Sequence, residues 1–365
     1  MQELARRGHK VEVITTGEGP LTEQLRKDGF DVEVIPFRGY RPREIPRVFR
    51  SWLRLRKIMS QDYDIVHSHL IKSIVMCRLA LIGRPRGLRP KLVSQVPGVV
   101  HLQAGWLRRI DRATISADDV TVGSCTDFAA AYRSRGARRT AVSFYGMDTL
   151  NFIRELPERD DTARANLGLR EGDVAVIMVA HMYPTNVAHF ADVGVKGHEV
   201  FIDAAAKAHA ADARLKFLIV GDEFVGDGAY RRRLEARAAL ASDSIRFLGH
   251  RDDVPVLLAL MDVAANPSLS ESASYTMMEA SLTGLPVVAS SVGGLPDTVV
   301  DGVTGLLVPP RDVEALSAAF LTLADDAQLR RDMGRAGRIH VQQSFDITKT
   351  VDSLERIYDE VLGRG

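Results

Sequence analysis

The sequence predicts an α/β protein made of two parallel, doubly wound sheets, and three observations predict it. Short Val/Ile-rich runs bounded by Gly, Asp or Pro alternate with helical stretches along the chain. That plan runs once through residues 1–150 and again from about residue 173. Charge changes sign between the halves: residues 1–150 hold 26 Lys+Arg against 15 Asp+Glu, and the remainder holds 22 against 32. A chain of 365 residues is comfortable for two domains of this kind.

The composition excludes several classes. Hydrophobic content of 45% and charged content of 26% are ordinary for a globular protein with real cores. Cys77 and Cys125 lie far apart without metal-like spacing, so a reducing compartment and no structural disulfide are expected. No apolar run approaches the roughly 18–20 residues of a membrane span, and no signal peptide opens the chain. The expected location is cytoplasmic. No G-x-G-x-x-G follows a strand and no G-x-x-x-x-G-K-[ST] exists, which leaves a dinucleotide oxidoreductase or P-loop NTPase little support. No nucleic-acid partner is expected.

In the first half, KVEVIT (10–15), DVEVIP (31–36), DIVHSH (64–69), KLVSQV (91–96), DVTVGS (119–124) and TAVSFYG (140–146) read as strands. Between the second and third lies RGYRPREIPRVFRSWLRLRKIM (38–59), with eight bases against one acid, Glu44, and with Trp52 and leucines interleaved. Such a stretch suits an anionic membrane surface; a solvated helix that covers the sheet is the other reading. His67 and His69 end a strand, and His101 follows the next one, at the sheet end where open α/β sheets bind ligands. Residues 145–152 read as the linker between the halves.

The second half supplies DVAVIMVA (173–180), KFLIVG (216–221), SIRFLG (244–249), DVAANPS (262–268), PVVAS (286–290) and TGLLVPP (304–310) as strands, and is helical from about 311. Its centre is residues 266–302. There Glu271 lies in a loop, and Glu279 follows on a helix that starts near Ser274 with small residues at its entrance. A helix mouth holds an anion, and an ionised Glu accepts hydrogen bonds from neighbouring sugar hydroxyls. Together they describe a site for a nucleotide sugar. Spacing alone leaves open that both glutamates are solvated helix-face charges.

Glu271-Ser-Ala-Ser-Tyr-Thr-Met-Met-Glu279, then Gly284-Leu285-Pro286-Val287-Val288 and Gly293-Gly294-Leu295-Pro296-Asp297, resembles the E-x7-E signature of retaining glycosyltransferases of family 4. The resemblance implies the GT-B architecture, two Rossmann-like domains facing across a cleft. It implies an acceptor domain over 1–150, a nucleotide-sugar domain over 151–345 and a last helix within 346–365 that crosses back to the first domain. It departs at Ser272 and Ala273, where the family commonly has Gly-aromatic, and at Asp297, where it often has Glu.

Carried over residue by residue, the resemblance makes Lys196 (followed by Gly197) the base on the leaving diphosphate. Glu271 would hold the donor sugar, and His101 is a cleft histidine near that sugar, with His69 a weaker candidate. Glu279 would hold the ribose, and Ser274, Tyr275 and Thr276 the phosphates. Gly221 begins the loop that matches the family's Gly-Asp-Gly, with Asp222. Gly249, His250 and Arg251 would lie near the nucleobase. His181 stands where the family usually has arginine, a change from a permanent bidentate cation to a base that is neutral above its pKa. No metal and no other cofactor is implied, and none of the His/Asp spacing argues for one.

The expected function is transfer of a sugar from a nucleotide diphosphate donor to a hydroxyl acceptor with retained configuration, in polysaccharide, glycolipid or glycoconjugate synthesis. A lipid-linked acceptor and peripheral contact with the inner membrane surface through 38–59 fit the basic first half. A nucleotide-sugar epimerase and a non-catalytic nucleotide-sugar-binding protein are the rival readings. One expectation concerns the start. The chain opens inside a helix, MQELARRG, where the family has a first strand and a Gly-rich loop. Met1 is therefore expected to be a misplaced or truncated start.

Overall fold

The computed structural model describes residues 1–37, 45–99, 102, 104–183, 193–224 and 226–364. They form two compact units: Met1–Phe144 with Ile347–Gly365, and Tyr145–Asp346.

The first unit carries six short parallel strands in two sheets. β1 (Glu12–Thr15) pairs only with β2 (Asp31–Val34), and β3 (Ile65–His69), β4 (Lys91–Val96), β5 (Val120–Gly123) and β6 (Thr140–Val142) form a second sheet in sequence order. Among the described residues nothing pairs β1 with β3. β4 and β5 are buried almost throughout, whereas no residue of β1 is. Helix Ile347–Leu362 belongs to this unit. It lays Leu354, Ile357 and Tyr358 on Val93, Val120 and Val122, and Tyr358 meets His67 Nδ1 at 2.7 Å. Arg7 binds Asp352 and Glu355 on the same helix at 2.8 and 2.7 Å.

Within the basic segment, residues 38–44 lie outside the described residues; Ile45–Ile58 is a helix. It buries Ser51 and Leu55, followed by Met59, and turns Phe49 and Leu53 outward together with Arg47, Arg50, Arg54 and Lys57. Arg56 is consumed internally, donating to the carbonyls of Ala80 and Ile82 at 2.9 and 3.0 Å. Arg54 pairs with Glu33.

The second unit has one six-stranded parallel sheet in the order β12-β11-β10-β7-β8-β9: β7 (Val174–Val179), β8 (Leu215–Val220), β9 (Ile245–Gly249), β10 (Val263–Asn266), β11 (Val287–Ser290) and β12 (Gly305–Val308). Strand alternation splits the core cleanly. Val174, Val176 and Met178 face a cluster with Phe201, Phe217 and Phe320, and Ala175 and Ile177 face another with Leu258, Met277 and Leu295. The order reverses at β7, whose neighbours are β8 and β10. Ligands of open α/β sheets bind beyond the carboxyl ends of the strands at such a switch point.

The stretch 145–152, expected as the linker, begins where the second unit begins. Residues 149–154 form a helix, because Asp148 accepts the Asn151 N–H at 3.0 Å as an N-cap. Thr149 is held by Asp346.

Candidate functional site

Beyond the carboxyl ends of β7 and β10 lies a pocket of about 290 Å³. Its walls include His181, Tyr183, Lys196, Gly221, His250, Arg251, Asn266, Glu271, Ser274 and Thr276, all from the second unit. Its volume is at the small end of ligand pockets.

The acidic wall is built from the chain after β10. Asn266 ends that strand, its side chain accepting Ser268 N–H at 3.1 Å and donating to Ser274 Oγ at 3.1 Å. The two bonds fold residues 267–273 into a loop and fix the start of helix Tyr275–Thr283. Because Ser274 Oγ is turned to Asn266, no side chain caps that helix, and its mouth is left to an anion. The Gly-Gly turn after β11 braces the loop from behind. A Cβ on Gly293 would stand 1.9 Å from the Glu271 carbonyl oxygen, and Gly294 N–H donates to that oxygen at 3.2 Å.

Lys196 Nζ donates to Glu271 Oε2 at 2.5 Å, and Ser272 N–H reaches Glu271 Oε1 at 3.1 Å. Base and acid thus neutralise each other across the pocket. Glu279 differs. It sits in the second turn of its helix without lining the pocket, and its carboxylate has no partner among the described residues. Burial pushes its pKa up.

The opposite wall continues past the sheet as an extended pairing. Met182 N–H donates to Asp222 C=O at 2.9 Å and Phe224 N–H to Met182 C=O at 3.1 Å. Met182 is fully buried, and the flanking His181 and Tyr183 gather with Phe224, His181 and Tyr183 each about 5 Å from its ring (5.3 and 5.2 Å between centroids). His250 and Arg251 are tied within their own turn, to Asp252 at 3.2 Å and Asp253 at 2.6 Å.

The structure therefore gathers Lys196, Glu271, His181, Gly221, His250, Arg251, Ser274 and Thr276 in one place. Gly249 adjoins them at the end of β9 without lining the pocket. Tyr275 does not line it either. One helical step from Ser274 swings its half-exposed ring away, and its hydroxyl reaches the Gly146 carbonyl at 3.5 Å. His101 lies outside the described residues, as does most of the segment between His181 and Lys196. His69 ends β3 in the other unit, stacked on His67 with centroids 4.4 Å apart; burial pushes it down to about 4. Asn266 and Tyr183 were not anticipated. An Asn before Pro at a strand end was the one available signal for the former.

Among the described residues no group of three His, Cys, Asp or Glu side chains is placed to hold a metal ion. No described helix is long and apolar enough to cross a membrane.

Comparison with known proteins adds to this geometry. Residues 185–326 match the family model described as "Glycosyl transferases group 1", and residues 1–145 match the "Glycosyl transferase 4-like domain". The chain is 26% identical to the D-inositol 3-phosphate glycosyltransferase of Corynebacterium aurimucosum, over 99% of this chain and 89% of that protein. It is 24% identical to the UDP-Gal:alpha-D-GlcNAc-diphosphoundecaprenol alpha-1,3-galactosyltransferase of Escherichia coli, over 96% and 89%. Among solved structures, Anabaena HepE in complex with UDP superposes with a TM-score of 0.79 at 21% identity, covering 98% of this chain and 94% of that one. HepE has also been solved with UDP-glucose.

Proposed function

The chain belongs to the group 1, family 4 glycosyltransferases, with the GT-B fold and a nucleotide-sugar donor, and on that premise we propose that the pocket beyond β7 and β10 holds the donor's diphosphate and sugar. The observation that carries this reading is the Lys196–Glu271 pair at 2.5 Å beside an uncapped helix mouth. An ammonium and a row of backbone N–H groups converge where negative charge would grow on a leaving diphosphate, and such preorganised groups lower the barrier without moving. Drawing Lys196 onto the phosphates frees Glu271 to accept hydroxyl hydrogens of the donor sugar. Glu279, unpaired and half-buried, takes the ribose diol; His250 and Arg251 border the base.

The reaction retains configuration at the anomeric carbon. The acceptor hydroxyl attacks the face that the diphosphate leaves, and the departing phosphate oxygen takes the hydroxyl proton. The acceptor binds through the basic first unit. A lipid-linked or anionic saccharide suits its charge, as the Escherichia coli relative's name implies for its own acceptor. Helix Ile45–Ile58, with Phe49 and Leu53 outward among Arg47, Arg50 and Lys57, rests on an anionic membrane surface.

The test is a thermal-shift screen of the protein against UDP-, GDP- and ADP-sugars, followed by product detection with lipid-linked and phosphorylated saccharide acceptors. A ligand that binds only the native state raises the melting temperature. The reading expects a shift with at least one UDP-sugar and a new α-glycoside. Donor epimerised without acceptor, or donor bound with neither transfer nor hydrolysis, contradicts it.

A further inference from the structure

Lys196 stands in a tight turn, residues 194–197, closed by Gly197 N–H donating to Gly194 C=O at 2.8 Å. Two holds grip that turn from opposite sides. On the pocket side Leu269 N–H donates to Val195 C=O at 2.8 Å, and a Cβ on Gly197, at φ +73°, would stand 2.0 Å from the Pro267 carbonyl oxygen. The turn is therefore pressed against the segment that leads to Glu271.

The other hold is a buried carboxylate. Glu199, 5% exposed in the first turn of helix His198–Ala211, accepts the Gly194 N–H at 3.0 Å. It also accepts the Tyr230 hydroxyl, 3.0 Å from both of its oxygens, and Arg233 at 3.2 Å. Tyr230 comes from helix Ala229–Ala241 and lies against the same turn; a Cβ on Gly194 would meet its oxygen at 2.0 Å. Neither Glu199 nor Tyr230 lines the pocket.

A carboxylate out of water is costly unless donors fill its lone pairs, and here they do. An acid in a helix's first turn also gains from the helix dipole. That gain explains neither the phenol aimed at it nor the bond to Gly194, two residues before the lysine.

We propose that Glu199 and Tyr230 are positioning residues for Lys196: they set the turn so that its ammonium meets the donor's diphosphate. The proposal rests on the reading of Lys196 given above. Its content is that loss of either contact acts through Lys196 and nowhere else in the pocket.

A double-mutant cycle tests it, with UDP as the probe, GDP in parallel, and titration calorimetry on the full chain. Glu199→Gln and Tyr230→Phe should each raise the dissociation constant by about fivefold when Lys196 is present, and by less than about twofold on the Lys196→Ala protein, the non-additivity of residues that share one network. Tyr230→Phe keeps the ring and the carboxylate, so it decides the matter if Glu199→Gln fails to fold. Equal losses in both lysine backgrounds, or no loss in the first, overturn the inference and leave the nucleotide site standing. A wild-type protein that binds neither UDP nor GDP overturns the nucleotide reading itself, and this inference with it.

Discussion

The two units are built from the same kind of strand and differ in how completely the strands close on one another. In the second unit six strands form one sheet, with buried clusters on both faces and aromatic contacts such as Phe201–Phe217 at 5.8 Å. Among the described residues of the first unit the sheet is divided, β1–β2 apart from β3–β6, and three smaller clusters share the core. It leans instead on a buried ionic knot. Arg78, wholly inaccessible, binds Asp111 at 2.7 Å and Asp118 at 2.8 and 2.7 Å. A continuous sheet fixes the ends of its strands, so the second unit can hold a preformed site. A divided sheet with edge strands fixes less.

The largest expected effect tests that contrast directly. Arg78→Ala leaves Asp118 without its cation and Asp111 with Arg135 at 3.5 Å, and should destabilise the first unit by about 3–5 kcal/mol. Both tryptophans, Trp52 and Trp106, belong to that unit. Their fluorescence should therefore report an early unfolding transition, while the far-ultraviolet dichroism of the rest persists to higher temperature. A single shared transition in the variant would erase the distinction.

Next in size is the site. Lys196→Ala should lower turnover by about 10²–10³-fold, the usual effect of removing one preorganised charge-stabilising group. Glu271→Ala should lower turnover more than it weakens nucleotide binding. Steady-state kinetics with the donor found in the screen separates the two. A Lys196→Ala enzyme with normal turnover would remove the site from this pocket.

A smaller effect belongs to Glu279. Its loss as Glu279→Gln should weaken nucleotide binding by about 1.5–3 kcal/mol, the range for a charged hydrogen bond. Burial raises this carboxyl's pKa, and the ionised form is the one that accepts from the ribose hydroxyls. Affinity is therefore present above the raised value and lost as pH falls through it, earlier than for an ordinary glutamate. Calorimetric titration from neutral to acidic pH should show that loss in the wild type and its absence in Glu279→Gln.

Much of this was legible in the sequence because its signals are local. Each of the twelve Val/Ile-rich segments overlaps a strand, and the helix after Ser274 begins at Tyr275, since alternation and turn residues act over a few positions. Four of the pocket's lining residues, Asn266, Glu271, Ser274 and Thr276, come from one short stretch of chain. Contacts between distant segments were not legible. Nothing near Glu199 announces Tyr230, and nothing near His67 announces Tyr358, because each pair meets only after helices have docked. Tyr275 opens its helix, as the sequence placed it, but the direction of its ring was not legible, because only the helical phase decides where a side chain points.

The central claim is that the nucleotide diphosphate binds in the second unit, between the Lys196 turn and the mouth of helix Tyr275–Thr283. Hydrogen–deuterium exchange with and without saturating UDP tests it most directly. The account predicts slowed exchange in residues 194–199 and 271–278 and unchanged exchange in β1 and β2. Protection confined to the first unit, with binding verified by calorimetry, would contradict it.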